Sequence, residues 1–255
     1  MSAAIEIDNV AIRFGGIQAV DGVSFAVEAG DFVGLIGPNG AGKTTLIRIV
    51  AGMLRPDRGR VKLVGSDVTG DGTATRVRRG LALTHQIVRP FREMTVLDNV
   101  VLAAGIHRTL NPFRALLHID RKRESERAGN IIAQVGLAGT ERKLAGSLPL
   151  GQMKRLEVAR ALAVDPKVIL LDEPLAGLNH TEAATQVETI SEVHKSGITV
   201  ILVEHNLEEV MRICRRLLVL NNGQVIGDGD PRAVMADPVV HDAYVGGGMV
   251  THAEA

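Results

Sequence analysis

Residues 37–45 have the residue types and the spacing of a phosphate-binding loop. Their sequence, GPNGAGKTT, fills every fixed position of the pattern G-x-x-x-x-G-K-[ST]. Glycines let the backbone wrap closely round an anion and direct its N–H groups inward at the start of a helix. Lys43 is then expected to reach the outer phosphates of a nucleotide, and the Thr44 hydroxyl to bind Mg²⁺. The alternative is a chance glycine-rich turn before a helix.

The segments on either side of this loop predict the setting that the motif requires. Residues 32–36 form a short apolar run that predicts a buried strand, and residues 45–51 predict a helix. A strand, a glycine-rich loop and a helix in this order argue against the chance turn.

Two adjacent acids follow a second apolar run, residues 168–171, which also predicts a buried strand. Asp172 at the strand end can bind Mg²⁺ directly or through water. Glu173 can polarise an attacking water as a general base. An ordinary acidic strand end is the simpler interpretation, but the phosphate loop upstream favours a nucleotide site.

Two further polar residues come at the ends of predicted strands. Gln86 follows the strand predicted for residues 81–84, where it could contact Mg²⁺ or the attacking water. His205 ends the strand predicted for residues 198–204, where it could contact the γ-phosphate and help to orient the water. Taken alone, each is more typical of a solvated surface residue, and the position of His205 relative to the acids favours a functional role.

Two short segments then carry a family resemblance. Residues 148–152, followed by Arg155 and by the sequence ARAL at residues 159–162, resemble the signature loop and helix of the ATP-binding cassette (ABC) family. Residues 176–179, just after the two acids, resemble the D-loop that joins the two nucleotide sites in this family. Together with the phosphate loop, the resemblance covers nearly the whole chain.

The resemblance implies a fold and a set of site residues. The fold is α/β, a P-loop NTPase with a parallel-sheet core, an antiparallel β subdomain and a helical subdomain. In the family, two cassettes pair head to tail, and each ATP lies between one subunit's phosphate loop and the other's signature. The implied catalytic residues are Glu173, His205, Gln86 and Lys43, and the implied Mg²⁺ ligands are Thr44, Gln86 and Asp172. The implied ATP contacts are Phe14, Gly37, Pro38, Asn39, Gly40, Ala41, Gly42, Lys43, Thr44 and Thr45; the signature is Leu148, Pro149, Leu150, Gly151 and Gln152; and the D-loop is Ala176, Gly177, Leu178 and Asn179.

Three of these positions bear on how tightly ATP would be held. Phe14 lies where the family places an aromatic side chain that stacks on adenine, although a core phenylalanine on an early strand is the alternative. Pro149 stands where the signature usually has serine or alanine, and Leu150 where it usually has glycine or an aromatic residue. Proline is tolerated near a helix start but offers the γ-phosphate neither an N–H nor a hydroxyl. We therefore expect intact ATP binding and a weaker contact from the signature.

The narrower resemblance is to ATPase subunits of branched-chain amino acid importers. It rests on residues 13–16 (RFGG), 91–96 (FREMTV), 176–179 (AGLN), 204–206 (EHN) and 243–244 (AY). It implies ATP and Mg²⁺ as cofactors, with integral-membrane permease subunits and a second cassette as partners. A periplasmic or extracellular substrate-binding protein would be an indirect partner. The implied location is peripheral, on the cytoplasmic face of the cell membrane.

Several alternatives stay open. The chain could serve another transporter, such as a urea, amide or lipopolysaccharide system, because the permease and the binding protein select the cargo. A soluble ABC ATPase of DNA repair, translation or cluster assembly is a rival of another class, and a P-loop kinase is a third. A kinase would have no use for the signature or for His205. The working dimer could contain two copies of this chain or two related cassettes.

Composition limits the class of function. Lysine and arginine together number 29, as do aspartate and glutamate, so no overall charge favours nucleic acid or an anionic membrane. Aromatic residues make up 2% of the chain, which argues against single-stranded nucleic-acid binding because that usually needs stacking side chains. Cys214 is the only cysteine, so an intramolecular disulfide is impossible. The apolar runs are too short to span a bilayer, so we expect any membrane role to come through a partner.

The order of the elements predicts the domain organisation. Strands and the phosphate loop come first, then a largely helical stretch, then more buried strands and a hairpin signal, Asn222-Gly223. We therefore predict one ABC ATPase domain over residues 1–246, with a helical subdomain of about residues 88–163 inserted in its core. We expect residues 247–255 to be a flexible tail.

Overall fold

The computed structural model describes residues 3–84, 90–105 and 121–245, which divide into two compact units. The first unit contains Met1–Thr73 and Ile201–Ala255, and the second contains Ala74–Val200. The boundary falls inside strand β8 (Thr199–Val203), whose five residues are all buried. Gln86 and the expected tail lie outside the described residues, and the predicted domain boundaries stay a prediction.

The first unit contains an antiparallel sheet. Its strand order is β2-β1-β4-β5, and the four strands are β1 (Ala3–Phe14), β2 (Ile17–Glu28), β4 (Arg58–Leu63) and β5 (Ser66–Asp67). The two long strands pair from Ala3 opposite Glu28 to Phe14 opposite Ile17. Residues such as Ile5, Ile7 and Val10 are buried, as an amphipathic strand requires.

Besides part of β8, the described residues of the first unit include three more strands and four helices. Strand β3 (Phe32–Ile36), which is buried throughout, pairs in parallel with β9 (Arg216–Asn221), and β9 pairs antiparallel with β10 (Gln224–Gly229). The turn between β9 and β10 has positive φ at both Asn222 and Gly223, which confirms the predicted hairpin. The helices are α1 (Lys43–Val50), α7 (Leu207–Ile213), α8 (Pro231–Met235) and α9 (Pro238–Val245).

The second unit combines a parallel strand pair with a group of helices. Strand β6 (Leu81–Thr84) lies parallel to β7 (Val168–Asp172), with Leu81 opposite Val168. Helix α2 (Thr73–Arg78) precedes this pair, and α3 (Val96–Ala104), α4 (Arg121–Gln134) and α5 (Leu150–Ala163) pack against one another. Helix α6 (His180–Lys195) begins with a capping box, in which the side chains of Asn179 and Glu182 bond to each other's backbone N–H. The α/β class, with parallel strands, an antiparallel sheet and a helical group, is confirmed.

Candidate nucleotide site

The phosphate loop occupies a space that only glycine fits at two positions. A Cβ at Gly37 would lie 2.1 Å from the carbonyl oxygen of Leu220. A Cβ at Gly42 would lie 2.3 Å from the carbonyl oxygen of Ala19, and the φ of Gly42 is +101°. By contrast, Gly40 at the outer end of the loop has no atom within 4 Å of such a Cβ. The two inner glycines therefore set how closely the loop packs on the strands beneath it.

The hairpin between β9 and β10 supports the loop from below. The Gly223 N–H donates to the Ala41 carbonyl oxygen at 2.9 Å, and the Asp21 N–H donates to the Gly223 carbonyl oxygen at 2.8 Å. The hairpin turn thus bonds to the loop through Gly223, and strand β2 in turn bonds to the hairpin turn. Because backbone groups make these contacts, the loop is held by the fold rather than by exchangeable side chains.

Lys43 lies along the loop that it follows. Its ammonium donates to the carbonyl oxygens of Gly37 at 2.6 Å and Pro38 at 3.0 Å, and the side chain is 9% exposed. Burying an ammonium is costly unless it is hydrogen-bonded, and these two acceptors meet that need. The arrangement places one positive charge at the start of the loop, as a site for phosphate requires.

The first turn of α1 adds to this anion-binding character. Gly42 is the N-cap residue, and no side chain caps this helix end. The first N–H groups of a helix and the positive end of its dipole favour an anion. Asn39, Gly40 and Thr44 are exposed here, so a ligand can approach the loop from solvent.

Tyr244 near the end of α9 contacts the first residue of the loop. Burial raises the pKa of its phenol above the usual range, and a backbone hydrogen bond from Gly37 acts in the opposite direction. The C-terminal helix therefore supports the phosphate loop. The sequence had marked Tyr244 only as part of a subfamily resemblance.

Phe14 is a surface residue at the end of β1. It is 48% exposed, which argues against the core phenylalanine that was the alternative at this position. An exposed ring has a face available for stacking, so its contact with adenine remains the prediction for this residue.

In the second unit, the two acids lie at the end of buried strand β7. Asp172 is the last residue of the strand, and Asp172 and Glu173 are both half-buried. Glu173 has a φ of +48°, a left-handed conformation that costs a non-glycine residue about 1 kcal/mol or more. Its carbonyl oxygen accepts hydrogen bonds from the Ala176 N–H at 3.3 Å and from Lys154 Nζ at 2.8 Å.

The predicted signature and D-loop lie together in this unit. Helix α5 begins at Leu150 with Pro149 as its N-cap residue, and no side chain caps it. A Cβ at Gly177 would lie 3.2 Å from Cδ2 of Leu150, so the leucine of the signature contacts the D-loop backbone. The structure therefore brings these two segments together.

Glu182 lies behind the signature. A Cβ at Gly151 would lie 3.1 Å from Oε1 of Glu182, so the helix start has no room for a side chain there. Burial lowers the pKa of the Arg155 guanidinium, and the charge of Glu182 opposes that shift. Sequence reasoning missed Glu182 and Lys154, although the spacing of Gly151, Lys154 and Arg155 on one helix could have indicated a shared face.

His205 is in the first unit, two residues after β8. Its side chain is 62% exposed, and its Nδ1 lies 3.8 Å from Oε2 of Glu204, which is buried. The backbone N–H of His205 also donates to that carboxylate at 3.3 Å. This geometry leaves the imidazole at the surface, where a ligand could meet it, and its role stays a prediction.

Comparisons with known proteins show the family of this chain. A family model described as ABC transporter matches residues 20–176. The chain is 36% identical to the high-affinity branched-chain amino acid transport ATP-binding protein of Pseudomonas aeruginosa, over 95% of this chain and 97% of that protein. It is 33% identical to the lipopolysaccharide export system ATP-binding protein of Haemophilus influenzae, over 94% and 95% of the two chains.

A solved structure shares the fold. The crystal structure of the ADP conformation of an ATP-binding cassette of an ABC transporter is 35% identical, with a TM-score of 0.84, over 96% of this chain and 99% of the other. The residues that the family model matches include the phosphate loop and the two acids, Asp172 and Glu173. The chain therefore belongs to the ABC transporter family and is one of its ATP-hydrolysing cassettes.

Proposed function

We propose that this chain is the ATP-hydrolysing subunit of an importer for branched-chain or related hydrophobic amino acids. The observation that supports the cargo class is the likeness to a branched-chain amino acid transport ATP-binding protein over almost the full length of both chains. The phosphate loop described above supports the nucleotide chemistry. A permease and a binding protein would select the amino acid that is transported.

Nucleotide binding follows from the chemistry of the loop. The N–H groups of residues 37–45 and the ammonium of Lys43 would hold the phosphates, and Phe14 would stack on adenine. The Thr44 hydroxyl and the Asp172 carboxylate are oxygen donors of the kind that Mg²⁺ prefers, and Gln86 is the third proposed ligand. When bound, Mg²⁺ would neutralise part of the phosphate charge.

Hydrolysis would use Glu173, the residue after Asp172. The Glu173 carboxylate would align the attacking water and accept its proton, and His205 would help to orient that water. The N–H groups of the signature at the start of α5 would contact the γ-phosphate of the ATP that the partner subunit binds. Pro149, the N-cap residue of α5, has no N–H to contribute to this contact.

ATP would work by favouring a closed pair of cassettes. Each nucleotide makes contacts with both subunits only in the closed state, so binding shifts the pair toward closure and hydrolysis reverses it. The partners would be a second cassette and integral-membrane permease subunits, with a substrate-binding protein acting indirectly. In the described part of the chain, no helix is long and apolar enough to cross a membrane. We propose a peripheral location on the cytoplasmic face of the membrane, where the permease would hold this subunit.

Affinity purification from detergent-solubilised native membranes tests the assignment. We expect permease subunits with many membrane spans to co-elute in stoichiometric amount, together with a second cassette. Reconstituted into vesicles, the complex should take up labelled leucine, isoleucine or valine in an ATP-dependent manner. Recovery of soluble partners alone, from a fraction in which other transporters remain intact, would overturn the transport role and leave the ATPase assignment unaffected.

The lipopolysaccharide export relative supports a second candidate, with the same enzyme chemistry and a different partner. The same purification separates the two. Co-elution of an envelope-spanning export complex, with no amino acid uptake by the reconstituted vesicles, would favour export over import.

A further inference from the structure

Lys154 is a buried lysine that no step of the proposed mechanism uses. It lies one turn into helix α5, three residues after Gly151 of the signature, and its side chain is 5% exposed. A lysine is rarely buried to this extent, because its ammonium must be hydrogen-bonded to offset the loss of water. An unbranched apolar residue such as methionine would fill the same space without that cost.

The ammonium bonds to the backbone of the candidate general base. Lys154 Nζ lies 2.8 Å from the carbonyl oxygen of Glu173, within charge-assisted hydrogen-bonding distance. Glu173 is the residue whose φ of +48° an L-amino acid adopts only at a cost. The hydrogen bond therefore restrains the peptide group that follows the Glu173 Cα. The backbone conformation at this Cα sets the direction in which the Glu173 side chain points.

Neighbouring contacts hold the start of α5 against the segments that follow Glu173. Leu150 packs on Gly177 of the D-loop, and Gly151 packs on Glu182, which completes the capping box of α6. The start of α5 is thus in contact with the segment that follows Glu173 on the chain. A displacement of this helix start would move the ammonium and with it the Glu173 carbonyl.

We propose that Lys154 is a positioning residue, which holds the Glu173 main chain in its left-handed conformation and so links the signature helix to the general base of the same subunit. The proposal rests on the proposed role of Glu173. The contact that carries this role is the hydrogen bond from Lys154 to the Glu173 carbonyl oxygen. A change in the signature would then reach the base through one hydrogen bond.

Three variants of the full chain test this, K154M, K154R and the exposed control K195M. We expect K154M to lower kcat for ATP hydrolysis at least tenfold while KM for ATP stays within twofold, because the phosphate loop is untouched. K154R keeps a buried cationic donor and should recover kcat to within about threefold of wild type. K195M, on the solvent-exposed end of α6, should leave both constants unchanged. Urea unfolding of each variant reports whether the chain is still folded.

Two results would overturn the proposal. In the first, K154M keeps kcat within twofold of wild type. In the second, K154M and K154R lose activity equally and in proportion to the folded fraction, which would indicate a purely structural lysine. An E173Q variant separates this inference from the role on which it rests. If E173Q is inactive and K154M is normal, the positioning role alone fails, whereas normal turnover by E173Q removes Glu173 as the base and this inference with it.

Discussion

The packing of the phosphate loop predicts that one added carbon atom, a Cβ at Gly42, weakens ATP binding. In Gly42→Ala, the new Cβ would lie 2.3 Å from the Ala19 carbonyl oxygen, about 1 Å closer than ordinary van der Waals contact. A φ of +101° adds the left-handed penalty of about 1–2 kcal/mol for an L-residue. The Ala19 carbonyl belongs to strand β2, which is paired with β1, so the loop must move instead.

The expected consequence is a loss of phosphate contacts. One hydrogen bond to a charged group contributes about 1.5–3 kcal/mol, so losing one through this displacement should cost about 2 kcal/mol of binding. That corresponds to a rise of about 30-fold in the Kd for ATP. Isothermal titration with ATP in the presence of Mg²⁺ measures it, and urea unfolding reports the accompanying loss of stability.

Two other glycines provide matched controls. Gly40 has a φ of +81° with nothing within 4 Å, so Gly40→Ala carries a left-handed penalty without a clash, and its Kd should stay within about fivefold of wild type. Gly129 lies inside helix α4 in open space, and Gly129→Ala should stabilise the chain by about 0.5–1 kcal/mol. The reasoning is refuted if the Kd of Gly42→Ala for ATP is within threefold of the wild-type value. It is also refuted if Gly40→Ala loses as much affinity for ATP as Gly42→Ala.

Three further predictions concern other parts of the chain. Phe14→Ala should raise the Kd for ATP about fivefold, since one stacking contact contributes about 1 kcal/mol, and leave the Kd for inorganic triphosphate unchanged; equal losses for both ligands would exclude stacking. Pro149→Ser should increase the ATPase rate, because serine supplies the N-cap oxygen and the N–H that α5 lacks; an unchanged rate and dimer affinity would contradict this. Burial raises the pKa of the Cys214 thiol from 9.0 to about 12, so the folded state keeps a proton that the unfolded state loses. Stability should therefore fall by up to about 1.4 kcal/mol per pH unit as the pH rises from 9 toward 12, measured as the difference between wild type and Cys214→Ala in urea, and parallel curves would contradict it.

Local patterns predicted the parts of the fold that depend on local chemistry. The apolar runs of β3 and β6 begin and end where the sequence places them, because each is a short buried strand flanked by polar or glycine residues. The Asn222-Gly223 turn forms as predicted, since both residues tolerate positive φ. The full length of strands β1 and β2 depends on their pairing with each other, which extends them past the alternating core residues.

Some helices were missed although the sequence carried signals for them. Asn206 caps α7 and is followed by two acids in the first turn, and Asp230-Pro231 starts α8 with a cap and a proline at the first helical position. The contacts that hold the site residues in place could not be predicted from local sequence. The bond from Lys154 to Glu173 joins residues 19 positions apart, and no local pattern predicts which carbonyl a buried ammonium will meet.

The central claim, that this chain hydrolyses ATP with Glu173 as general base, is tested most directly by comparing wild type with Glu173→Gln. Steady-state release of phosphate and equilibrium ATP binding are measured on the same preparations. The account predicts an ATP Kd within about threefold of wild type and a turnover at least 100-fold lower, since general-base catalysis contributes about 10²–10⁴-fold. Turnover by Glu173→Gln at the wild-type rate would contradict it.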